Sequence, residues 1–144
     1  VEAINEQQKR ILFRKFNDHY QGEISGKRAA IWGLSYKPGT DDMREAPALI
    51  LIDQLLQAGC TVSAYDPVAM DEARRRLGDK IEFAADMYDA LRSSDVLFLL
   101  TEWQEFRMPG WNKVRTHMKM PLVIDGRGIY NKADLEGITY LKIG

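Results

Sequence analysis

RAAIWGLSYKPGTDDMREAPALILIDQLLQAGCTVSAYD, residues 28–66, contains one full turn of an alternating pattern. Arg28–Gly33 is an apolar run closed by glycine, as expected of a strand buried on both faces. Pro47–Ala58 has proline at a first helical position and Gly59 just past its end, and so reads as a helix. Thr61–Asp66 is β-branched and aromatic, the pattern of a second strand. Two strands joined through a helix require a crossover, and hence a parallel pair.

The alternation continues toward the carboxyl end. Asp71–Leu77 reads as a helix stopped by Gly78, Ile81–Ala84 as a short strand, and Met87–Arg92 as part of a helix. Val96–Thr101 (VLFLLT) is the strongest candidate for a central strand. A helical segment near Asn112–Met118 and strands at Leu122–Asp125 and Thr139–Ile143 complete the series. Toward the amino end, Ile4, Ile11, Leu12 and Phe16, with Tyr20, share one side of a helical period. Lys9, Arg10, Arg14 and Lys15 fall largely elsewhere, and residues 21–26 (QGEISG) form a connection. The expected fold is α/β, with a doubly wound, mostly parallel, Rossmann-like sheet in three layers, preceded by one long helix.

A chain of 144 residues, 45% hydrophobic and 28% charged, suits a single globular domain. Its 20 basic and 21 acidic side chains leave a net charge of −1, without the basic excess that nucleic acid or an anionic membrane surface requires. The apolar run Val96–Leu100 is far too short to span a bilayer, and no charged-then-apolar leader opens the sequence. Cys60 is the single cysteine, so no internal disulfide framework exists and a reducing cytoplasm is expected. The sequence opens on Val1 and runs straight into a helix with an apolar face, which reads as a piece of a longer protein.

In a doubly wound sheet, ligands sit beyond the carboxyl ends of the strands, so the loops after Gly33, Asp66, Thr101 and Asp125 are the places to search. The first loop lacks the G-x-G-x-x-G spacing of a dinucleotide site and the G-x-x-x-x-G-K-[ST] of an NTPase loop. It offers instead Lys37 at the sheet edge and Arg44 at the mouth of the next helix, a cation pair suited to phosphate or diphosphate. Asp41 and Asp42 are candidates to cap or orient that loop. Asp66 is read as a turn or helix cap in preference to a ribose acceptor, and Trp103 as packing in preference to a stacking platform. In Asp125-Gly126-Arg127-Gly128, the glycines permit close backbone approach and hold Arg127 toward a ligand. Cys60 and Trp32 read as core, and His19 and His117 match no metal-ligand spacing. The residues compose no catalytic triad, carboxylate pair or metal site; on their own they describe a nucleotide-binding module without a catalyst.

Gly33–Pro47 (GLSYKPGTDDMREAP) closely resembles the signature opening the carboxy-terminal domain of the nucleotide-sugar 6-dehydrogenases, the UDP-glucose/GDP-mannose dehydrogenase family. AYDPVAM (64–70), LLTEW (99–103) with Phe106, and IDGRGIY (124–130) follow in family order, and NEQQKRIL (5–12) is similar to the end of the family's long central helix. The likeness covers essentially the whole chain and looks most like the bacterial UDP-glucose members; GDP-mannose and UDP-N-acetylhexosamine enzymes remain alternatives, as does a free-standing non-enzymatic module. The resemblance implies residues 1–22 as the tail of a central dimerisation domain and 23–144 as a UDP-sugar-binding domain. It implies an enzyme oxidising the C6 alcohol of UDP-glucose to a carboxylate with two NAD⁺, through a thioester on a cysteine. By position, Tyr36, Lys37 and Arg127 are expected to contact the UDP-sugar and Arg44 the NAD pyrophosphate, with the Tyr36 ring packed. The family's glycine-rich NAD domain and catalytic cysteine segment are not in this sequence, and Cys60 does not match the latter. Its partners would be the amino-terminal and central domains and, in the intact protein, a second copy in a homodimer; the isolated chain is expected to be inactive.

Overall fold

The computed structural model describes residues 2–143, with side chains from residue 10 onward. In chain order come α1 (Glu2–His19), β1 (Arg28–Trp32), α2 (Pro47–Gln57), β2 (Thr61–Tyr65), α3 (Met70–Leu77), β3 (Glu82–Phe83) and β4 (Val96–Leu99). The short α4 (Gln104–Arg107), α5 (Trp111–His117), β5 (Leu122–Asp125) and β6 (Thr139–Lys142) follow. The strands form one sheet in the order β3-β2-β1-β4-β5-β6, and every pair is parallel. This is the doubly wound α/β arrangement, with its winding reversed between β1 and β4.

Period-two alternation sorts each strand's side chains between two cores. Ala29, Ile31, Val96, Phe98, Leu122 and Ile124 enter one, under α1 and α2. Ala30, Trp32, Leu97, Leu99 and Val123 enter the other, against α4 and α5. Trp32 is fully buried; its ring stacks on Phe106 at 5.1 Å and its indole N–H donates to the Met87 carbonyl at 2.7 Å. The amino-terminal helix lies along the first face. Leu12 and Phe16 join the core, and Phe16 meets Phe98 edge-on at 5.8 Å. Arg10 and Arg14 are exposed, as their place in the helical period requires, whereas the side chains of Ile4 and Lys9 lie outside the described residues. Among the described residues no helix is long and apolar enough to cross a membrane.

Two local expectations are corrected. Met87–Arg92 does not form an α-helix but a single 3₁₀ turn at Asp89–Leu91. The Asp86 carboxylate accepts from the N–H groups of Tyr88 and Asp89, as a helix cap does, but the backbone turns extended at Arg92 (ψ 121°) and left-handed at Ser93 (φ 57°), so only one turn forms. Conversely, Gln104–Arg107 forms a helix of one turn that no pattern announced. Cys60 is buried with its thiol 3.3 Å from the Ile24 carbonyl, and burial pushes its pKa up to about 11. Such a thiol is packing, not a nucleophile.

Candidate ligand-binding site

Because the strands are parallel, the loops after β1, β2, β4 and β5 share one edge of the sheet. At the winding reversal that edge is closed by backbone. Gly33 has φ +99°, and a Cβ there would stand 2.5 Å from the Thr101 Cβ and 2.6 Å from the Thr101 nitrogen. The Thr101 hydroxyl donates to the Ser35 carbonyl at 2.7 Å. A dinucleotide in an ordinary doubly wound fold approaches here. In this chain the tips of β1 and β4 meet at that point in direct contact, which only a glycine at position 33 allows.

Asp66 sits fully buried at the end of β2 and organises the neighbourhood. Its Oδ2 accepts from the N–H groups of Leu34 (2.8 Å) and Ser35 (3.3 Å) and from the Trp103 indole (3.1 Å). Its Oδ1 accepts from Val68 and Ala69, each at 2.8 Å. Both oxygens are committed, so Asp66 is a turn-former and Trp103 a structural donor. Beyond Ser35 the chain projects. Tyr36 N–H closes the loop on the Asp42 carbonyl at 2.7 Å, and Asp42 Oδ1 accepts from the Arg44 N–H at 2.9 Å. Tyr36, expected to pack its ring, is instead 51% exposed. With Asp42, Arg44 and Glu45 it lines an open cleft of about 330 Å³. Lys37 is exposed and carries no ion pair among the described residues.

Asp125 repeats the device at the end of β5. Oδ1 accepts from the N–H groups of Arg127 (2.9 Å) and Gly128 (2.8 Å). Oδ2 accepts from those of Ile129 (2.8 Å) and Tyr130 (3.0 Å) and from the Tyr140 hydroxyl (2.7 Å). The loop wraps around one buried carboxylate and throws Arg127 outward. Gly126 is needed because a Cβ would come 2.9 Å from the Leu99 carbonyl. Only β4 separates β1 from β5. The two cation-bearing loops therefore start about 10 Å apart, a span that two long side chains readily close around a diphosphate.

Residues 30–132 match the model of the UDP-binding domain of the UDP-glucose/GDP-mannose dehydrogenase family. The chain belongs to this family. The UDP-glucose 6-dehydrogenase of Pseudomonas aeruginosa is 42% identical over 151 residues, covering 100% of this chain and 33% of that protein. That of Rhizobium meliloti is 39% identical over 144 residues, covering 99% and 33%. Among solved structures, a UDP-glucose dehydrogenase from the hyperthermophilic archaeon Pyrobaculum islandicum is similar at a TM-score of 0.82 and 28% identity, over 96% of this chain and 30% of that one. The chain spans about a third of the length of these relatives.

The rim of this dehydrogenase-family domain is not a bare basic patch. Arg44 forms a two-pronged pair with Asp42, Nε to Oδ1 at 3.0 Å and Nη2 to Oδ2 at 2.9 Å. Arg127 bonds Glu102 from Nε and Nη2. Glu102 is the residue that sequence reasoning passed over; a partner 25 positions away leaves no local mark. Among the described residues no cluster of histidine, cysteine or acidic groups could hold a metal.

The Asp42 clamp carries a pH prediction. Hydrogen bonds from Arg44 hold the Asp42 carboxyl below its usual range, at about 2. A carboxyl depressed in this way supports the folded loop above its ordinary value and loses that support as pH falls through the lowered one. Arg44 is thus expected to stay clamped from about pH 4 upward and to be released only as pH drops toward 2. A carbon-13 NMR titration of the Asp42 carboxyl checks this; a midpoint in the ordinary aspartate range would show that Arg44 is not held there.

Proposed function

We propose that this chain is the UDP-binding domain of a UDP-glucose 6-dehydrogenase, an enzyme converting UDP-glucose to UDP-glucuronate with two NAD⁺. The 42% identity to a UDP-glucose 6-dehydrogenase, over all of this chain and a third of that protein, supports the choice of substrate. The observation carrying the site is that Lys37 and the outward edges of Arg44 and Arg127 stand on loops of one sheet edge. In this reading Lys37 and Arg127 grip the diphosphate of the UDP-sugar, and the half-exposed Tyr36 ring covers it. A lysine supplies a mobile point charge and an arginine a planar fork, so the two orient a diphosphate better than either alone.

NAD⁺ supplies the hydride acceptor when bound. The residues here fit it only at its margin: the loop after β1 lacks the G-x-G-x-x-G spacing of a dinucleotide site, while Arg44 Nη1 has no acceptor among the described residues and is open to a pyrophosphate held by another domain. Residues 1–22 would belong to the central domain and 23–144 to the UDP-binding domain, with pairing to a second copy through the central helix. Work in the cytoplasm would keep Cys60 reduced. Alone, the chain binds UDP weakly and turns over nothing.

Titrating UDP into the nitrogen-15-labelled chain tests the reading. Signals of residues 34–44 and 126–129 are expected to move together, with those around His117 unmoved. Perturbation confined to the His117 side, or none at millimolar UDP, would refute it.

A further inference from the structure

The pairing of Arg127 with Glu102 has a specific geometry. Nε (3.1 Å) and Nη2 (2.9 Å) both donate to one oxygen, Oε2 of Glu102. These are the donors of the guanidinium's side edge. Its end-on edge, formed by Nη1 and the second Nη2 hydrogen, meets no acceptor among the described residues, and the side chain is 40% exposed. Glu102 is more enclosed, at 20% exposure, and stands just beyond β4, between the closed Thr101 contact and Trp103. Its other oxygen, Oε1, is buried with no hydrogen-bond partner among the described residues.

We propose that Glu102 is a positioning residue: it locks the side edge of Arg127 so that the end-on edge is presented, already oriented, to the diphosphate of a nucleotide ligand that Glu102 itself does not touch. This rests on the reading of Arg127 as a diphosphate-gripping side chain. A carboxylate that merely stood in for the absent ligand would occupy the outward edge and be free to swing away. Glu102 does neither: it takes the inward edge and is anchored at the strand tip. The effect on affinity is one of preorganisation, since a flexible arginine must otherwise be ordered when the ligand arrives.

The test is a double-mutant cycle on the full chain. UDP affinity is measured by proton NMR titration for the parent, Glu102→Ala, Arg127→Ala and the double variant, and the Arg127 Nε–H signal is followed without ligand. Glu102→Ala is expected to weaken UDP binding about three- to tenfold, the scale of ordering one long side chain. It should also make the Nε–H exchange quickly with water. In the Arg127→Ala background, the same change should do nothing further. Glu102→Gln keeps an accepting oxygen and should recover part of the affinity. The melting temperature of Glu102→Ala should change little, because the pair is partly exposed and its loss returns the Arg127 donors to solvent. Equal losses in both backgrounds, or tighter binding by Glu102→Ala, would overturn the proposal while leaving Arg127 a ligand residue. If Arg127→Ala binds UDP as the parent does, the site reading itself has failed and the role of Glu102 falls with it.

Discussion

Asp125→Ala is expected to destabilise the fold by about 5 kcal/mol, a large share of the roughly 5–15 kcal/mol by which domains are stable. Four backbone N–H groups and the Tyr140 hydroxyl all converge on this carboxylate, which has no exposed surface. Each such bond to a charged acceptor is worth about 1 kcal/mol or more, and donors left inside without acceptors add their desolvation cost. Water reaching the partly buried Arg127 and Gly128 amides reduces the loss; Tyr130, whose ring is packed edge-on to Trp111 at 4.8 Å, cannot be rescued so easily. Asp125→Asn is expected to recover little, since its NH₂ would face donors in place of one oxygen. Urea denaturation checks both. A loss under about 2 kcal/mol for Asp125→Ala would mean that the loop keeps its shape without the carboxylate.

The same bonds show what could be read from the sequence and what could not. Strands β1, β4 and β5 were legible because burial on both faces demands uninterrupted apolar runs, and a parallel sheet then places their loops on one edge. This is why Lys37, Arg44 and Arg127 could be singled out by position alone. The settings of those side chains were not legible. Glu102 reaches Arg127 across 25 residues and Tyr140 reaches Asp125 across 15, contacts that exist only once β4, β5 and β6 are in register. Periodicity also misled at Met87–Arg92, where Asp86 caps a start but the chain leaves the helical region at Arg92 and Ser93 after one turn. Asp66 is the reverse case. Its place before proline favoured a cap over a ribose contact, and five donors now occupy it.

Arg127→Ala is expected to weaken UDP binding by the isolated chain about 30-fold, or roughly 2 kcal/mol. A fully desolvated partner of a phosphate would be worth more, about 2–5 kcal/mol, and that upper range is expected in the intact enzyme, where a closed cleft expels water. In this chain the side chain is 40% exposed, so solvent screens the contact and the lower end applies. Lys37→Ala should cost less, about threefold, because an exposed ammonium on a flexible stem gives a screened point charge without a second hydrogen bond. Asp71→Ala makes the control: it sits on α3 at 87% side-chain exposure, and its pair with Arg74 spans 3.4 Å in open solvent, so binding should change less than twofold. The ordering of the three variants, measured by UDP titration at fixed ionic strength, is more diagnostic than any one value. Raising the salt should narrow the gap between parent and Arg127→Ala, since an ion contact is what distinguishes them. A gap independent of salt, or an Asp71→Ala loss matching that of Arg127→Ala, would show that Arg127 supports the loop's shape without meeting the ligand's charge.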